Sequence, residues 1–168
     1  EAAYSTRQLR FAQNDCMVIR RASDSTTTTI GFVDGDIDEA AIETFCTGTT
    51  CTVYQWLDQS GNGNDATAAA PANEPTIYTG GALVKENGKV ALDFDGSNDA
   101  LKYTGNFFGG GSASAFSVSS FDNATRAARE IIYGLQDSTG ARYDFLLTRQ
   151  SSTAPTGTTQ NGIDFYIE

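Results

Sequence analysis

The chain has 168 residues, a hydrophobic fraction of 39% and a formal net charge of -10 at pH 7. A chain of this length can bury one hydrophobic core, so we expect a single domain covering residues 1–168. The acidic balance disfavours nucleic acid and anionic membrane surfaces as partners, because both attract clustered lysine and arginine. No apolar run approaches the roughly 20 residues that cross a bilayer, so we expect no membrane insertion.

The sequence contains no histidine. This excludes from the chain a Ser-His-Asp triad, a Cys-His pair and a zinc ion held by histidine. Any catalysis would depend on carboxylates, tyrosine, lysine, cysteine or a metal held by oxygen ligands. The many carboxylates suit a hard cation such as calcium, which is the one candidate cofactor.

Short runs of β-branched and aromatic residues alternate with turns rich in glycine, asparagine and aspartate, a texture typical of an all-β chain. Residues 5–11 are compatible with a helical turn or an edge strand. We predict strands at residues 16–21, 26–32, 51–57, 76–78, 83–84, 89–94, 100–103, 115–119, 130–134, 143–148 and 163–167. This spacing predicts a sandwich or a barrel, and we expect a two-sheet β-sandwich.

One short helix is predicted at residues 38–45, close to Ile42. Asp38 is a suitable N-cap, because its carboxylate can accept a hydrogen bond from a main-chain N–H of the first turn. Ile42 and Phe45 recur at helical spacing on the apolar face.

Three cysteines bear on the redox environment. Cys46 and Cys51 bracket a short segment that a disulfide could close, which would imply an oxidising compartment or a cell or virion surface. Two free, partly buried thiols are the alternative. If Cys46 and Cys51 form the disulfide, Cys16 stays free or bonds to a group outside this chain.

The loop at residues 58–65 is the first candidate binding site. It carries side-chain oxygens at alternate positions: Asp58, Ser60, Asn62 and Asn64. Such an array could bind calcium or a sugar. The alternative is a turn in which Asp58 and Ser60 bond to local main-chain N–H groups, while Gly61 and Gly63 take positive φ.

A second acidic alternation is formed by Asp34, Asp36 and Asp38. In an extended backbone these carboxylates would share a face and could bind calcium. A solvated turn leading into a capped helix is the alternative. The same two interpretations apply to Asp93, Asp95 and Asp99.

Aromatic side chains could form a platform for a sugar ring. Tyr54 and Trp56 are two residues apart on one predicted strand, so the alternation places them on the same face. Tyr78, Tyr103 and Phe107 are further candidates. The alternative is that these rings belong to the core, which large aromatics often dominate.

Three segments carry a family resemblance: residues 20–30 (RRASDSTTTTI), 45–51 (FCTGTTC) and 57–64 (LDQSGNGN). In this order they resemble the N-terminal half of the α-L-arabinofuranosidase B catalytic domain. The resemblance implies a concanavalin A-like jelly-roll sandwich, which in this chain is either a complete or an incomplete domain. It also implies a disulfide between Cys46 and Cys51.

Three downstream segments resemble a different group, the laminin-G-like, lectin-type domains of bacterial surface proteins and phage appendages. These segments are Asn73-Glu74-Pro75, Asn87-Gly88-Lys89 and residues 94–101. Beyond residue 103 the resemblance is one of texture alone.

The arabinofuranosidase resemblance implies a glutamate nucleophile and an aspartate acid in the later part of the domain. Glu168 ends a strand-like run and is the candidate nucleophile, whereas no residue matches the acid. A glycosidase of this kind needs two carboxyl groups about 5 Å apart if retaining, or about 6.5–9.5 Å if inverting. Glu130, Asp144 and Asp164 are the other candidates, with a solvated surface position as the alternative for each.

The downstream match and the missing acid favour a non-catalytic, lectin-like or structural module of a surface or virion appendage. Its expected partners are glycans or neighbouring protein subunits, a second copy of the chain included, in an extracellular, cell-surface or virion-surface location. One alternative is a glycoside hydrolase of the α-L-arabinofuranosidase B type acting through two carboxylates, and another is a purely structural assembly protein. Because such sandwiches are usually longer, we expect either a fragment or a domain completed by another subunit.

Overall fold

The computed structural model describes residues 1–104, 114, 116–120, 130–136, 143–151 and 161–167. The chain divides into two compact units, Glu1–Ala113 and Ser114–Glu168. Strands dominate both, and every strand pair in the described part is antiparallel. The predicted all-β class with one short helix is therefore confirmed, whereas the single sandwich domain over residues 1–168 stays a prediction.

The first unit is built on one large sheet. Its strands are β1 (Asp15–Arg21), β2 (Thr27–Val33), β3 (Asp36–Ile37), β4 (Cys51–Trp56), β5 (Ala66–Ala68), β6 (Thr76–Thr79), β7 (Ala82–Leu83) and β10 (Leu101–Lys102), and a separate hairpin is formed by β8 (Lys85–Glu86) and β9 (Lys89–Val90). The order across the sheet is β10-β5-β4-β1-β2-β3. One edge of β4 also pairs with β6, at Cys51 and Thr52, so β4 contacts three strands.

The helix α1 (Glu39–Cys46) confirms the prediction to within one residue at each end. The side chain of Asp38 caps it by accepting a 2.9 Å hydrogen bond from the main-chain N–H of Ala41. Ile42 and Cys46 are its buried residues, so the inner face is as apolar as the spacing requires. A short 3-10 helix follows at Pro71–Asn73. No helix in the described part of the chain is long and apolar enough to cross a membrane.

The turn between β2 and β3 replaces the extended alternation expected for the first acidic group. Val33 pairs with Asp36, which leaves Asp34 and Gly35 as a two-residue hairpin turn with φ of 52° and 84°. Two consecutive positive φ values are typical of a tight hairpin turn, which aspartate followed by glycine favours. The carboxylates of Asp34 and Asp36 therefore do not alternate along one strand face.

A β-bulge interrupts the alternation in β4. Val18 of β1 pairs with Gln55 and Ile19 pairs with Val53, so Tyr54 is the extra residue. A bulge puts two residues opposite one and shifts the side chains that follow by one position. Trp56 consequently packs against the core cluster, which Tyr54 does not join. The expected shared face of Tyr54 and Trp56 is thus wrong, because sequence spacing does not reveal a bulge.

The core of the first unit lies between the large sheet and α1. Its largest fully buried aliphatic side chains come from five different elements: Met17, Ile19, Ile30, Ile42, Val53 and Ile77. Burying such a side chain contributes about 1.5–3 kcal/mol, so this cluster is the main source of stability in the described part.

The predicted disulfide between Cys46 and Cys51 is confirmed. It joins the last residue of α1 to the first residue of β4, and both cysteines are fully buried. Cys16 is the free, buried cysteine. The bond therefore fixes the helix against the strand that contacts three others.

Replacing Cys46 and Cys51 together by alanine should lower the free energy of unfolding by about 2 kcal/mol or more, because the unfolded chain regains the entropy of an open loop. Urea denaturation followed by circular dichroism measures the change. Cys16→Ala is the control: it removes one buried sulfur without opening a cross-link and should cost about 1 kcal/mol. An equal loss in both variants would contradict the cross-linking role.

The second unit contains a three-stranded sheet in the order β11 (Glu130–Gln136), β12 (Tyr143–Ser151) and β13 (Asn161–Ile167). Each strand contains one of the three last predicted strands and extends beyond it. The strand predicted at residues 115–119 differs, because residues 116–120 carry no strand pairing. The strand predicted at residues 89–94 is shorter, and Asp93 makes only an isolated bridge to Thr76.

Candidate functional site

The loop at residues 58–65 surrounds a buried carboxylate. Asp58 is 4% exposed and accepts four hydrogen bonds. Its Oδ1 accepts from the main-chain N–H groups of Ala3 (2.9 Å) and Ser60 (2.8 Å). Its Oδ2 accepts from the Ser60 hydroxyl (2.7 Å) and the Asn64 N–H (3.0 Å). Gly61 and Gly63 adopt φ of 87° and 73°, so the loop has the hydrogen bonds and glycine conformations of the turn interpretation.

The other polar side chains of this loop bind the beginning of the chain. The amides of Asn62 and Asn64 both donate to the carbonyl of Glu1, at 3.1 and 2.6 Å. The Ser60 hydroxyl, whose single proton goes to Asp58, accepts from the Asn62 amide at 2.9 Å. Within the described part, these contacts engage the side chains that the sequence nominated as calcium or sugar ligands. Calcium or sugar binding at Asp58, Asn62 and Asn64 stays a prediction.

The pKa of Asp58 is set by two opposing effects. Burial acts to raise it, but the hydrogen bonds from Ser60, Ala3 and Asn64 outweigh burial and hold the pKa below the ordinary value of 3.8. A carboxyl group whose pKa is depressed by folding adds stability above its unfolded pKa and loses it as pH falls through the folded pKa. Asp58 is therefore ionised at neutral pH and poorly suited to act as a general acid.

Asp58→Asn should destabilise the protein by about 2 kcal/mol at pH 7, because an amide NH₂ would face N–H donors that now point at oxygen. It should also flatten the loss of stability below about pH 4, since the group that becomes protonated is gone. Urea midpoints measured between pH 2 and pH 7 test both. Asp38→Asn, which keeps a competent helix cap, is the control and should leave the acid limb intact. An unchanged acid limb in Asp58→Asn would contradict this role.

A second buried carboxylate bonds to side chains of β1 and β4. The side chain of Glu74 is fully buried and pairs with Arg20, Nε to Oε1, at 2.8 Å. Its Oε2 accepts a 2.5 Å hydrogen bond from the Thr52 hydroxyl. The Arg20 guanidinium also stacks on Tyr54, 4.9 Å from the ring centroid. Both oxygens of Glu74 are thus engaged within the protein, and the cluster ties β1, β4 and the approach to β6 together.

Arg20→Met should destabilise the protein by about 3 kcal/mol, because it leaves the buried carboxylate of Glu74 without its counter-charge. The matched control is the neighbouring Arg21→Met, whose partner Asp24 is exposed, so that losing this ion pair leaves no buried charge behind. Chemical denaturation of both variants at one pH gives the comparison. If both variants lose the same free energy of unfolding, the buried Arg20–Glu74 pair stabilises the protein no more than the exposed pair does.

The nominated aromatic residues lie in different surroundings. Trp56 packs on the core and against Tyr4, with ring centroids 5.9 Å apart. Tyr78 is buried in the core. Tyr54 lies beneath Arg20, and Tyr103 lines an open cleft. Phe107 lies outside the described residues, so the nominated rings that are described form no single platform.

The residues of the first acidic group make separate contacts, whereas those of the second lie close together. Asp36 pairs with Lys89 at 3.0 Å, and Asp38 caps α1. Burial raises the pKa of Asp99, and the neighbouring carboxylates of Asp95 and Asp93 raise it further. Over the described ranges no three histidine, cysteine, aspartate or glutamate side chains gather as a metal site would require. Calcium binding at Asp34, Asp36 and Asp58 stays a prediction, with these three not brought together.

Sequence patterns did not reveal a polar row across the outer face of the sheet. Thr67 pairs with Gln55 on one side and with Lys102 on the other, and the Gln55 amide donates to the Thr67 hydroxyl at 3.2 Å. With Asp65 and Tyr103 these residues line an open cleft of about 570 Å³.

The structural role of the Glu74 carboxylate was also missed by the sequence analysis. The one local signal is its position between Asn73 and Pro75, just before a strand.

The candidate catalytic carboxylates belong to the second unit. Glu130 begins β11, Asp144 lies in β12 and Asp164 in β13. Glu168, the candidate nucleophile, lies outside the described residues. In the first unit both carboxylates that are buried, Asp58 and Glu74, are committed to protein hydrogen bonds.

Comparison with known proteins links the first unit to one family. The sequence profile of the family "Alpha-L-arabinofuranosidase B, catalytic" matches residues 1–82. Alpha-L-arabinofuranosidase B of Emericella nidulans is 44% identical over 103 residues, covering 54% of this chain and 20% of that protein. Alpha-L-arabinofuranosidase B of Aspergillus niger is 42% identical over 74 residues, covering 42% of this chain and 15% of that protein. The chain therefore spans a fifth or less of the length of these curated relatives.

Solved structures are similar over the same extent. A GH54 α-L-arabinofuranosidase soaked with a cyclic sulfate inhibitor is 35% identical, with a TM-score of 0.40, over 45% of this chain and 19% of that chain. An arabinofuranosidase complexed with arabinofuranosyl-alpha-1,2-xylobiose is 36% identical, with a TM-score of 0.37, over 54% of this chain and 18% of that chain. Scores at this level do not define a shared fold.

These matches correct the functional expectation. The prediction of a non-catalytic, lectin-like or structural module of a surface or virion appendage is wrong, because the matched family and relatives are arabinofuranosidases. The profile also includes Asn73-Glu74-Pro75, which the sequence had associated with laminin-G-like domains. The first part of this chain is similar in sequence to the catalytic domain of α-L-arabinofuranosidase B.

Proposed function

We propose that this chain is part of a glycoside hydrolase that removes α-L-arabinofuranosyl groups from a glycan. The observation that carries the proposal is the match of the α-L-arabinofuranosidase B catalytic profile to residues 1–82. The relative from Emericella nidulans, 44% identical over 103 residues, supports it. Its partner would be a polysaccharide with arabinofuranosyl branches.

In such an enzyme, we infer that the matched segment stabilises the fold and that the reacting groups come from another part of the polypeptide. The matched segment contains the disulfide, the Arg20–Glu74 pair and the loop around Asp58, all of which stabilise main-chain positions. A glycosidase needs one carboxyl group that can donate a proton and one that stays ionised. Asp58 and Glu74 are occupied by protein donors, so we infer that the reacting carboxylates come from later in the polypeptide, Glu168 being the candidate nucleophile.

The proposal also includes an extracellular location and a jelly-roll architecture. A buried disulfide of five-residue separation is typical of proteins made in an oxidising compartment, so we infer an extracellular location. Two antiparallel sheets in a concanavalin A-like jelly roll are the architecture that the family resemblance implies. The large sheet of the first unit is compatible with one layer of such a sandwich.

The native polypeptide that carries this sequence should hydrolyse an aryl α-L-arabinofuranoside and leave an aryl β-D-xylopyranoside untouched. Glu168→Gln should lower kcat about 10³-fold or more, because the nucleophile is lost. Glu86→Gln, an exposed carboxylate on the β8–β9 hairpin, is the matched control and should keep full activity. Absence of arabinofuranoside turnover in the wild-type protein would overturn the proposed function. Full activity in Glu168→Gln would overturn the assignment of the nucleophile alone.

A further inference from the structure

The first nine residues lie across the surface of the first unit and are attached mainly by main-chain hydrogen bonds. At one end, the Ala3 N–H donates to Asp58 Oδ1 at 2.9 Å and the Ala3 carbonyl accepts from the Gln59 N–H at 2.8 Å. At the other end, the Gln8 N–H donates to the Gly35 carbonyl at 2.8 Å. We call residues 1–9 the strap and the loop at residues 58–65 its clamp.

Gln59 is the clamp residue most dedicated to the strap. Its side chain is 1% exposed, yet both ends of its amide bond to strap atoms. Its Oε1 accepts from the Leu9 N–H at 2.7 Å, and its Nε2 donates to the Ser5 carbonyl at 2.8 Å. A buried amide held in this way recognises the main chain of the strap, whatever its side chains are.

The strap buries little apolar surface of its own. Leu9 is 56% exposed, and Phe11, just beyond it, is 97% exposed. Water can replace each hydrogen bond between strap and clamp, so the apolar cost of detachment is confined to Cys16 and to the contact between Tyr4 and Trp56. Segments with few buried apolar contacts are those that open locally while the core stays folded.

The free thiol of Cys16 and the single tryptophan, Trp56, lie under the strap and can report its detachment. The Cys16 thiol is fully buried and donates to the Ser5 carbonyl at 3.4 Å, and burial raises its pKa to about 12. The sole tryptophan, Trp56, packs against Tyr4 of the strap. Its indole N–H is the one buried side-chain polar atom without a hydrogen-bond partner among the described residues. An unsatisfied buried donor raises the free energy of the closed state, and water would satisfy it in an open one.

We propose that the strap detaches from the clamp as a unit while the sheet stays folded, and that detachment exposes Cys16 and Trp56. The clamp is then a binding site for an extended main chain, and its occupant in the closed state is the strap. The device is independent of the proposed hydrolase activity.

The test uses the intact, non-reduced protein at pH 8 and follows alkylation of Cys16 by N-ethylmaleimide across a series of low urea concentrations. In the closed state the thiol is fully buried and out of reach of the reagent, so labelling reports opening. We expect the logarithm of the labelling rate to depend on urea much less steeply than global unfolding followed by circular dichroism, because local opening exposes little surface. A labelling slope equal to the global slope would overturn the proposal.

The variant Asn62→Ala/Asn64→Ala removes both amide bonds to the Glu1 carbonyl and should speed labelling about tenfold without urea. Acrylamide quenching of Trp56 should rise in parallel. Asn73→Ala is the matched control, since it removes one amide-to-carbonyl bond of the same kind, to Asn98 at 2.8 Å, away from the strap. If the clamp variant accelerates labelling no more than this control does, or only in proportion to its loss of global stability, the strap does not open as a unit.

Discussion

Burial of the Asp58 carboxylate is the constraint on which the arrangement of the first unit depends. An ionised group at 4% exposure is tolerated only if donors replace its water shell, and four protein donors do so. Three of them belong to the loop that follows β4, and the fourth, the Ala3 N–H, belongs to the strap. A single carboxylate thereby joins the beginning of the chain to the end of its central strand, and the positive φ of Gly61 and Gly63 lets the loop close around it.

The Glu74 carboxylate is also buried, and here an arginine compensates for the lost water shell. Arginine supplies both charge and hydrogen bond, and the Thr52 hydroxyl satisfies the second oxygen. The oxygens of both buried carboxylates are thus engaged by donors of the protein rather than exposed to a substrate. Under the proposed function, these two carboxylates are therefore assigned a structural role, and the family resemblance implies that the nucleophile and the acid lie in the later part of the domain.

The features that sequence patterns predicted correctly are those that depend on residues close together in the chain. The helix at Asp38 and the central strand at Cys51 follow from capping and β-propensity, and the disulfide follows from the family resemblance. The bulge at Tyr54 could not be predicted, because it depends on the register between β1 and β4 rather than on β4 itself. The Arg20–Glu74 pair escaped for a similar reason: its partners are 54 residues apart, and only the fold brings them together.

The functional prediction was wrong because it relied on the downstream resemblance to laminin-G-like domains and on the missing acid. The segment LDQSGNGN had two interpretations, a calcium or sugar site and a turn held by its own hydrogen bonds. In the structure those side chains hold main-chain groups, with Asp58 binding the Ala3 N–H and Asn64 the Glu1 carbonyl. A loop that shapes its own backbone can recur in enzymes and in lectin-type domains alike, because both need the scaffold. The motif therefore indicates shared architecture, and activity has to be inferred from the family match and from the carboxylates that perform the reaction.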